Sequence, residues 1–379
     1  MKIISLKRNL INWYINSRGW RTDRKIIIIE SDDWGSIRMP SKKIYNELLA
    51  KGFPVDKLPY LRYDSLESNS DLEMLFEVLT NFRDKNGNHP VITANTIMTN
   101  PDFKKIKNSG FKEYHYELFT ETLKKYPEHD RVLDLYKEGI SKKIFYPQLH
   151  GLEHLNVNRW MKALQNEKSN ARLAFYLGLF DLSVSHTEIT EDSFMDALNY
   201  SSKNELKQQQ VKINNAIELF ESVFGFRSKT FIAPCYIWSS DIESVMKKGG
   251  IEVLQGGIVQ KDPRQGKLNH FRKRLHYTGE ESKSGLKYSV RNCSFEPSSQ
   301  NHKEIVESCI DQIAAAFKNN KPAIISTHRL NFIGILEKEN REINLNLLEK
   351  LFKGILKKWP DAEFLSSEDF AFLLTKNYN

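Results

Sequence analysis

Residues 26–35 read IIIIESDDWG, a run of isoleucines that ends abruptly in acidic side chains. An apolar, β-branched run of this kind is typical of a strand buried on both faces, as in a parallel sheet or an α/β barrel. Carboxylates at the edge of a core are costly unless they are paired or bind a metal. Because catalytic groups in parallel α/β folds collect at the carboxyl ends of strands, Asp32 and Asp33 mark a candidate site.

Similar apolar runs alternate with helical patterns along the rest of the chain. Strands are predicted at Lys25–Glu30, Val91–Met98, Lys143–Leu149, Asp181–Ser185, Thr230–Pro234, Glu252–Leu254, Lys287–Phe295, Ala323–Thr327 and Glu363–Leu365. Helices are predicted at Leu72–Arg83, Val157–Ala163, Glu205–Phe224, Ser239–Lys248, His302–Lys318 and Leu345–Lys358. The alternation indicates βα units and a mainly parallel sheet.

Eight or nine strands over this length favour one α/β domain built as a distorted (β/α)7-8 barrel, closed or nearly closed. The chain contains no linker rich in Pro, Gly or Ser, so residues 25–379 are predicted to form a single domain. Residues 41–89, which are rich in charge and helical pattern, are predicted to be a helical insertion over the site.

Residues 1–24 are predicted to form an N-terminal amphipathic helix. Its apolar side chains fall near helical spacing and basic residues flank them: Ile3, Leu6, Leu10, Trp13 and Tyr14, with Lys2, Lys7, Arg8, Arg18 and Arg21. A helix that packs on the domain is favoured. Peripheral contact with the inner face of a membrane is the alternative.

Composition narrows the class of partner and compartment. The chain has 379 residues, and 56 Lys and Arg against 48 acids give a formal charge of +8. The basic residues are interleaved with acids and form no arm for nucleic acid, so we expect no nucleic-acid partner. Cys235, Cys293 and Cys309 form neither a disulfide framework nor a CxxC site. With no secretion signal and no long apolar run, a cytoplasmic location is predicted.

A second candidate site segment lies at residues 145–154, which read FYPQLHGLEH. His150 and His154 follow a predicted strand and can both face one point if the second opens a helix. They share a barrel face with the carboxylates of the first strand. One Asp and two His form a three-ligand set that leaves positions open for water and substrate, which indicates metal-assisted hydrolysis.

Residues 231–238, FIAPCYIW, form a third candidate segment. Pro234 directly after a strand fixes the turn and leaves backbone N–H groups that could stabilise an oxyanion, while the aromatic residues could stack on a sugar. The alternative is a plain strand-to-helix turn with Ser239 or Ser240 as the helix N-cap.

A fourth candidate segment, residues 323–329, reads AIISTHR and ends an apolar strand in His328, a candidate general acid beside a metal. His186 has a similar position and is interpreted as structural or as a substrate-rim residue. Adjacent residues of an extended strand point to opposite sides. We therefore expect one of Asp32 and Asp33 to bind metal and its neighbour to act as base.

Together these segments resemble the polysaccharide deacetylases of carbohydrate esterase family four, within the glycoside hydrolase/deacetylase barrel superfamily. Asp32-Asp33, His150-x-x-x-His154, Pro234-Cys235-Tyr236 and residues 325–328 (ISTH) stand in the order of that family's motifs. The resemblance implies Asp32 as general base, Asp33, His150 and His154 as metal ligands, and His328 as general acid. Substrate contacts are expected from Trp34, Pro234, Tyr236, Trp238 and Arg329.

The resemblance also implies Zn²⁺, or another divalent ion such as Co²⁺, Ni²⁺ or Mn²⁺, and removal of N- or O-acetyl groups from a sugar. The family's arginine before the third-motif proline is replaced here by residues 231–233 (FIA). Arg291-Asn292 is the nearest substitute for the fourth motif. The charge that orients the base could therefore come from Arg38, Arg291 or Arg329.

Three functional hypotheses follow. The first is a metal-dependent sugar deacetylase in bacterial surface-polysaccharide synthesis, acting on a cytoplasmic precursor such as a lipid-linked or nucleotide-linked sugar. The second is a glycosidase on a related barrel, for which Glu30 or Glu153 would have to be catalytic. The third is a non-catalytic carbohydrate-binding or membrane-associated assembly protein, for which loss of Asp32 would leave sugar binding unchanged.

Overall fold

The structure is a computed structural model that describes residues 14–183, 193–265, 270–299 and 302–376. Most of the predicted amphipathic helix, residues 1–13, lies outside the described residues, and residues 14–16 form a helical turn. Residues 17–24 are described and are not helical, so the predicted helix over residues 1–24 is wrong for its last eight residues, and over residues 1–13 it stays a prediction. No helix within the described ranges is both long enough and apolar enough to cross a membrane.

The strands alternate with helices along the chain. In chain order they are β1 (Lys25–Trp34), β2 (Ile92–Ile97), β3 (Thr99–Pro101), β4 (Tyr116–Leu118), β5 (Phe145–Gly151), β6 (Thr230–Ile232), β7 (Val253–Gly256), β8 (Val259–Pro263), β9 (Phe271–Leu275), β10 (Lys287–Val290), β11 (Cys293–Ser294), β12 (Ala323–His328) and β13 (Ala362–Leu365).

The helices connect these strands and cover the sheet. The α-helices span Lys42–Ala50, Pro59–Arg62, Asn69–Thr80, Phe103–Asn108, Phe119–Leu123, Val132–Ser141, Val157–Ala163, Asn170–Tyr176, Lys203–Phe224, Glu243–Lys248, Ile305–Lys318, Lys338–Lys358 and Ser367–Thr375. Short 3₁₀ helices lie at Pro234–Tyr236, Ser240–Ile242 and Arg329–Phe332. The helices Lys42–Ala50, Pro59–Arg62 and Asn69–Thr80 form the predicted helical insertion.

Nine strands form one sheet in the order β10-β7-β6-β5-β2-β1-β12-β11, with β13 paired to the first residues of β1. Each pairing in this sheet is parallel. The two edge strands, β10 and β11, are joined directly by Arg291 and Asn292. The Arg291 N–H donates to Gly256 O (2.9 Å), and the Asn292 N–H donates to Ile324 O (3.2 Å). The chain thus steps from one edge of the curled sheet to the other, and the predicted distorted α/β barrel is confirmed.

The core packs on both faces of β1, as the apolar run predicts. Ile26 to Ile29 are at most 2% exposed. Ile27 and Ile29 belong to the same apolar cluster as Phe145 and Ala323. Ile26 and Ile28 belong to a second cluster, with Phe370 of the helix Ser367–Thr375. Alternate side chains of this strand therefore face two apolar layers, which is why the run contains no polar position.

The predicted strand Asp181–Ser185 is wrong over residues 181–183, the part of it that the structure describes, and one long predicted strand is divided in two. Asp181 begins a turn, because its Oδ1 accepts the Ser183 N–H (2.6 Å) and its Oδ2 accepts the Phe194 N–H (3.1 Å), so residues 181–183 are not a strand. The predicted strand Lys287–Phe295 is divided into β10 and β11 at the step between sheet edges. Two antiparallel pairs, β3–β4 and β8–β9, were not predicted.

Candidate metal centre and active-site cavity

The end of β1 brings both of its aspartates to the same cavity. Asp33 has φ of +76°, and the pairing of β1 with β2 shifts register between Ser31 and Trp34. The strand is therefore bulged here, so the alternation expected of an extended strand does not apply. Asp32 and Asp33 both line one cavity, whose volume is about 370 Å³.

The second segment places its two histidines beside Asp33. Gly151 has φ of +125°, a conformation that suits glycine, and it bends the chain after β5 so that His154 returns towards His150. His154 lies in the loop before the helix Val157–Ala163 and does not open that helix. Asp33 Oδ1 lies 3.4 Å from His150 Nε2 and 3.3 Å from His154 Nε2.

The Asp33, His150 and His154 side chains fit a divalent metal ion. Their three ligand atoms lie within 4.8 Å of one another and are buried. At a metal–ligand distance of about 2.1 Å and tetrahedral angles, two ligand atoms are about 3.4 Å apart, which matches the two measured separations. The His150 Nδ1–H donates to Ile232 O (2.9 Å), which leaves Nε2 with a free lone pair for an ion. His154 Nδ1 is buried without a hydrogen-bond partner among the described residues.

The protonation of these groups also suits an ion. Burial lowers the pKa of His154 to about 3, although the charge of Asp33 opposes this, so the ring is neutral at neutral pH. Burial alone would raise the pKa of Asp33. The positive charge of Arg38, with smaller contributions from the neighbouring histidines, outweighs burial and holds that pKa well below its usual value. His154 therefore offers a neutral imidazole and Asp33 an ionised carboxylate.

Asp32 is held by Arg291 and by Asn95. Arg291 donates Nη1–H to Asp32 Oδ2 and Nη2–H to Asp32 Oδ1, both at 2.7 Å, and the Asn95 side chain donates to Oδ1 at 2.7 Å. Burial would raise the pKa of Asp32, but the charge and hydrogen bonds of Arg291 lower it below its usual value. Of the three arginines that sequence left open, Arg291 is thus the one paired with Asp32.

Arg291 is itself held in place by Glu30. The Arg291 Nε–H donates to Glu30 Oε2 (2.7 Å), and the Ser367 hydroxyl donates to Glu30 Oε1 (3.0 Å). Glu30 is fully buried and does not line the cavity. A fully buried carboxylate needs such partners, so Glu30 is part of the support for the arginine.

His328 faces Asp32 across the cavity and is oriented by Glu296. His328 Nδ1 lies 2.6 Å from Glu296 Oε1, and its Nε2 lies 3.9 Å from Asp32 Oδ2. Burial alone would lower the pKa of His328, but the charge and hydrogen bond of Glu296 raise it to about 9. The imidazole is therefore protonated at neutral pH. The role of Glu296 was not predicted from the sequence. Glu296 comes shortly after β11, and His328 is the last residue of β12.

The other two arginines have different partners. Arg38 lines the cavity and lies 3.2 Å from Asp33 Oδ2 and 3.4 Å from Asp64 Oδ2. Arg329 is fully buried and donates to Asp64 and Glu67 at 2.7–3.2 Å. Arg38 therefore contacts the candidate metal ligand, and Arg329 stabilises the interior beneath it.

The third segment forms a tight turn at the cavity wall. Cys235 and Tyr236 have φ of +56° and +57°, so two successive residues adopt the left-handed conformation. The N–H groups of Tyr236 and Ile237 donate to the carbonyls of Ala233 and Pro234. The Cys235 N–H has no hydrogen-bond partner among the described residues. Burial raises the pKa of the Cys235 thiol to about 12, so it is not a thiolate nucleophile.

Of the residues expected to contact substrate, the structure brings only Tyr236 to the cavity wall. Its hydroxyl accepts a hydrogen bond from Arg291 (3.2 Å). The other four, Trp34, Pro234, Trp238 and Arg329, are buried and do not line the cavity. Trp34 donates to Ser31 and packs on Phe145, and Trp238 donates to Glu243. Their indole N–H groups are satisfied inside the core, and this corrects the expectation of a sugar-stacking wall.

Residues from outside the strand ends complete the cavity. Tyr60 and Leu61 of the insertion line it, and the Tyr60 ring packs edge-on against His328 with centroids 5.3 Å apart. Asp181 and Asp196 also line the cavity. Residues 184–192 between them, which include His186, lie outside the described residues. The insertion therefore covers the site, as its position in the sequence predicts.

Comparisons with known proteins find similarity in structure alone. No protein-family model and no curated protein sequence matches this chain. A structure described as a glycoside hydrolase/deacetylase, from Parabacteroides distasonis, aligns at 11% identity with a TM-score of 0.49, covering 94% of this chain and 73% of that chain. A probable polysaccharide deacetylase from Pseudomonas aeruginosa aligns at 10% identity with a TM-score of 0.46, covering 92% and 91%.

The chain also aligns with a 4-α-glucanotransferase from Thermococcus litoralis at 10% identity with a TM-score of 0.43. That alignment covers 93% of this chain but 41% of the transferase, so the chain spans less than half of its length. The structures that align also include one described as a polysaccharide deacetylase from Mycobacterium smegmatis, at 10% identity with a TM-score of 0.42, covering 94% of this chain and 92% of that chain.

Proposed function

We propose that this protein is a divalent-metal-dependent hydrolase that removes an acetyl group from an N- or O-acetylated sugar. The proposal is carried by one observation: the Asp33–His150–His154 group lies in a cavity that also exposes Asp32 and His328. Zn²⁺, or another divalent ion such as Co²⁺, Ni²⁺ or Mn²⁺, would there polarise the acyl carbonyl and make water a stronger nucleophile. The remaining chemistry belongs to residues of the chain.

Asp32 Oδ2 is the proposed acceptor of the proton from the attacking water. An ionised carboxylate oxygen can accept two hydrogen bonds. Asp32 Oδ1 already accepts from Asn95 and Arg291, whereas Oδ2 accepts one strong bond, from Arg291. Oδ2 thus keeps one acceptor position, and His328 Nε2 lies 3.9 Å from this oxygen. Arg291 keeps Asp32 ionised and fixes its plane, so it is a positioning residue.

His328 Nε2 is the proposed donor of the proton to the departing amine or hydroxyl. Its pKa of about 9 keeps it protonated at neutral pH, and Glu296 holds its other nitrogen. The Cys235 N–H is the proposed donor to the oxyanion, since it lies in the cavity wall without another partner among the described residues. A backbone donor that is already oriented costs little reorganisation during the reaction.

The glycosidase hypothesis receives less support from the geometry. It needs two carboxylates on opposite sides of a sugar. Glu30 is fully buried against Arg291, and Glu153 is buried against Lys212; neither lines the cavity. We further propose that the substrate is a precursor of a bacterial surface polysaccharide, encountered in the cytoplasm. Contact with the membrane through residues 1–24 remains part of that hypothesis.

The test is acetate release from a panel of acetylated sugars by protein loaded with Zn²⁺ or Co²⁺. We expect release that is abolished by chelation and restored by adding the ion back. The His328→Ala variant should retain the bound ion and lose release. The proposal is wrong if protein with a full complement of ion releases no acetate from any N- or O-acetylated sugar in the panel.

A further inference from the structure

A two-stranded hairpin borders the cavity and carries cations that the proposed reaction does not use. Strands β8 and β9 are antiparallel, and Lys261 is the direct cross-strand partner of Lys273. Cross-strand partners lie on the same face of a hairpin. Lys261 lines the cavity, so Lys273 extends the same face outwards, where it is exposed.

Neither lysine is neutralised within the part of the chain that the structure describes. The hairpin's one acid between residues 259 and 275 is Asp262, which alternates to the opposite face and pairs with Arg274 (2.7 Å). Salt bridges involving Lys261 or Lys273 are absent among the described residues. Like charges directly across a strand pair are destabilising. The face therefore carries an electrostatic cost that a bound anion would remove.

The acids of the cavity do not provide that anion, because each has another partner. Asp32 pairs with Arg291 and Asp33 with Arg38. Asp196 pairs with Arg159 at 2.7 Å, and Asp181 accepts two backbone N–H groups. The acids are thus used inside the protein, and among the described residues of this face of the hairpin Lys261 and Lys273 are the cations left to act on a ligand.

Resting on the proposed deacetylase function, we infer that Lys261 and Lys273 bind a phosphate or diphosphate group carried by the acetylated sugar. A lysine ammonium binds phosphate as a point charge and tolerates variable geometry. The sugar would occupy the cavity at Asp32 and His328, and its anionic substituent would lie along the hairpin. Leu275, 54% exposed, and Val259 lie on the same face as the two lysines. This face suits a group that joins a polar sugar to a less polar carrier.

The first test measures binding without catalysis. Inorganic pyrophosphate is titrated into the full-length protein in the presence of EDTA, so that no divalent ion contributes, and binding is followed by calorimetry. We expect the double variant K261A/K273A to bind at least about tenfold more weakly than the wild type. The matched control is Arg272→Ala, which removes one exposed cation from the opposite face of the same hairpin.

The Arg272→Ala control should bind pyrophosphate as the wild type does. Equal binding by the wild type and the double variant would overturn the inference. So would an equal loss in the Arg272→Ala protein, because the effect would then be one of net charge and not of these two side chains.

The second test distinguishes the groups to which the acetylated sugar could be linked. Acetate release is compared for a nucleoside-diphosphate-linked, a prenyl-diphosphate-linked and a phosphate-free acetylated sugar. The wild type should prefer one or both phosphate-bearing substrates, and K261A/K273A should lower that preference in kcat/KM by about tenfold, through KM. An unchanged preference overturns the phosphate inference while leaving the deacetylase intact. Pyrophosphate binding that needs the lysines, with no acetate released from any substrate, overturns the deacetylase and leaves the phosphate site.

Discussion

Two buried arginines of this protein make nearly the same contacts and yet have different roles. Arg291 donates two hydrogen bonds to Asp32 and one to Glu30, at 2.7 Å. Arg329 donates two to Asp64 and one to Glu67, at 2.7–3.2 Å. We call these two groups the Arg291 cluster and the Arg329 cluster. Each arginine directly follows the carboxyl end of a strand of the barrel: Arg291 follows β10, and Arg329 follows β12.

The difference between the clusters is access to the cavity. Asp32 lines the cavity and keeps a free acceptor position on Oδ2. Asp64 and Glu67 are fully buried and do not line the cavity; Glu67 also accepts hydrogen bonds from Tyr136 and Gly35, and Asp64 also lies beside Arg38. The same ion-pair chemistry therefore prepares a proton acceptor in the Arg291 cluster and stabilises the fold in the Arg329 cluster. The predictions below test that division.

The largest expected effect is on turnover, from Asp32→Asn. The amide cannot take a proton from water, so kcat for acetate release should fall by about 10²- to 10⁴-fold. The bound ion should remain, because Asp33, His150 and His154 are unchanged. The measurement is steady-state acetate release together with metal content. A kcat within a few-fold of the wild type would mean that the Arg291 cluster does not supply the base.

The matching change in the other cluster, Arg329→Met, should act on stability. It leaves Asp64 and Glu67 as buried carboxylates without their main partner, and breaking such a pair costs about 3–5 kcal/mol of unfolding free energy. Urea unfolding followed by circular dichroism gives this value. The folded protein should still bind its ion and release acetate. Loss of turnover at unchanged stability would reverse the roles assigned to the two clusters.

A smaller effect is expected on pH dependence, from Glu296→Gln. His328 must be protonated to act as the acid, so kcat/KM should be full at lower pH and fall as the pH rises through its pKa, near 9. Removing the negative charge of Glu296 should lower that pKa by about 1–2 units, so the alkaline limb should move to lower pH. The pH profile of kcat/KM measures it. An alkaline limb that does not move would show that His328 is not the titrating acid.

The smallest effect is expected from Trp238→Phe. The Trp238 indole donates to Glu243 inside the core and does not face the cavity. The change should cost about 1 kcal/mol of unfolding free energy and leave KM for the sugar unchanged. A clear rise in KM would restore the original expectation that this tryptophan contacts substrate.

The sequence predicted the strand at Ile26–Ile29 and the order of the site segments, because burial on both faces excludes polar residues from a run of this kind. It could not predict that Asp33 would turn to the side of Asp32. That turn arises from a bulge, with φ of +76° at Asp33. The sequence contains no residue pattern that predicts this bulge. His154 likewise reaches the site through the bend at Gly151 and not by opening a helix.

The choice of Arg291 over Arg38 and Arg329 depends on which strand ends adjoin. Asp32 and Arg291 are far apart in sequence, and their pairing follows from the step of the chain between β10 and β11 at the edges of the curled sheet. Trp238 was expected at the sugar as one of the aromatic residues of the segment 231–238, and Trp34 as a substrate contact together with the resemblance. Each side chain packs into the core, where its N–H has a partner.

The most direct test of the account is a Co²⁺ titration followed by visible absorption, since the Arg291 cluster can serve catalysis only if Asp33, His150 and His154 hold an ion. The wild type should bind about one equivalent with the intense bands of low-coordinate Co²⁺. Arg329→Met and Asp32→Asn should give the same spectrum, and His154→Ala should lose it. No binding by the wild type, or an unchanged spectrum in His154→Ala, would contradict the account.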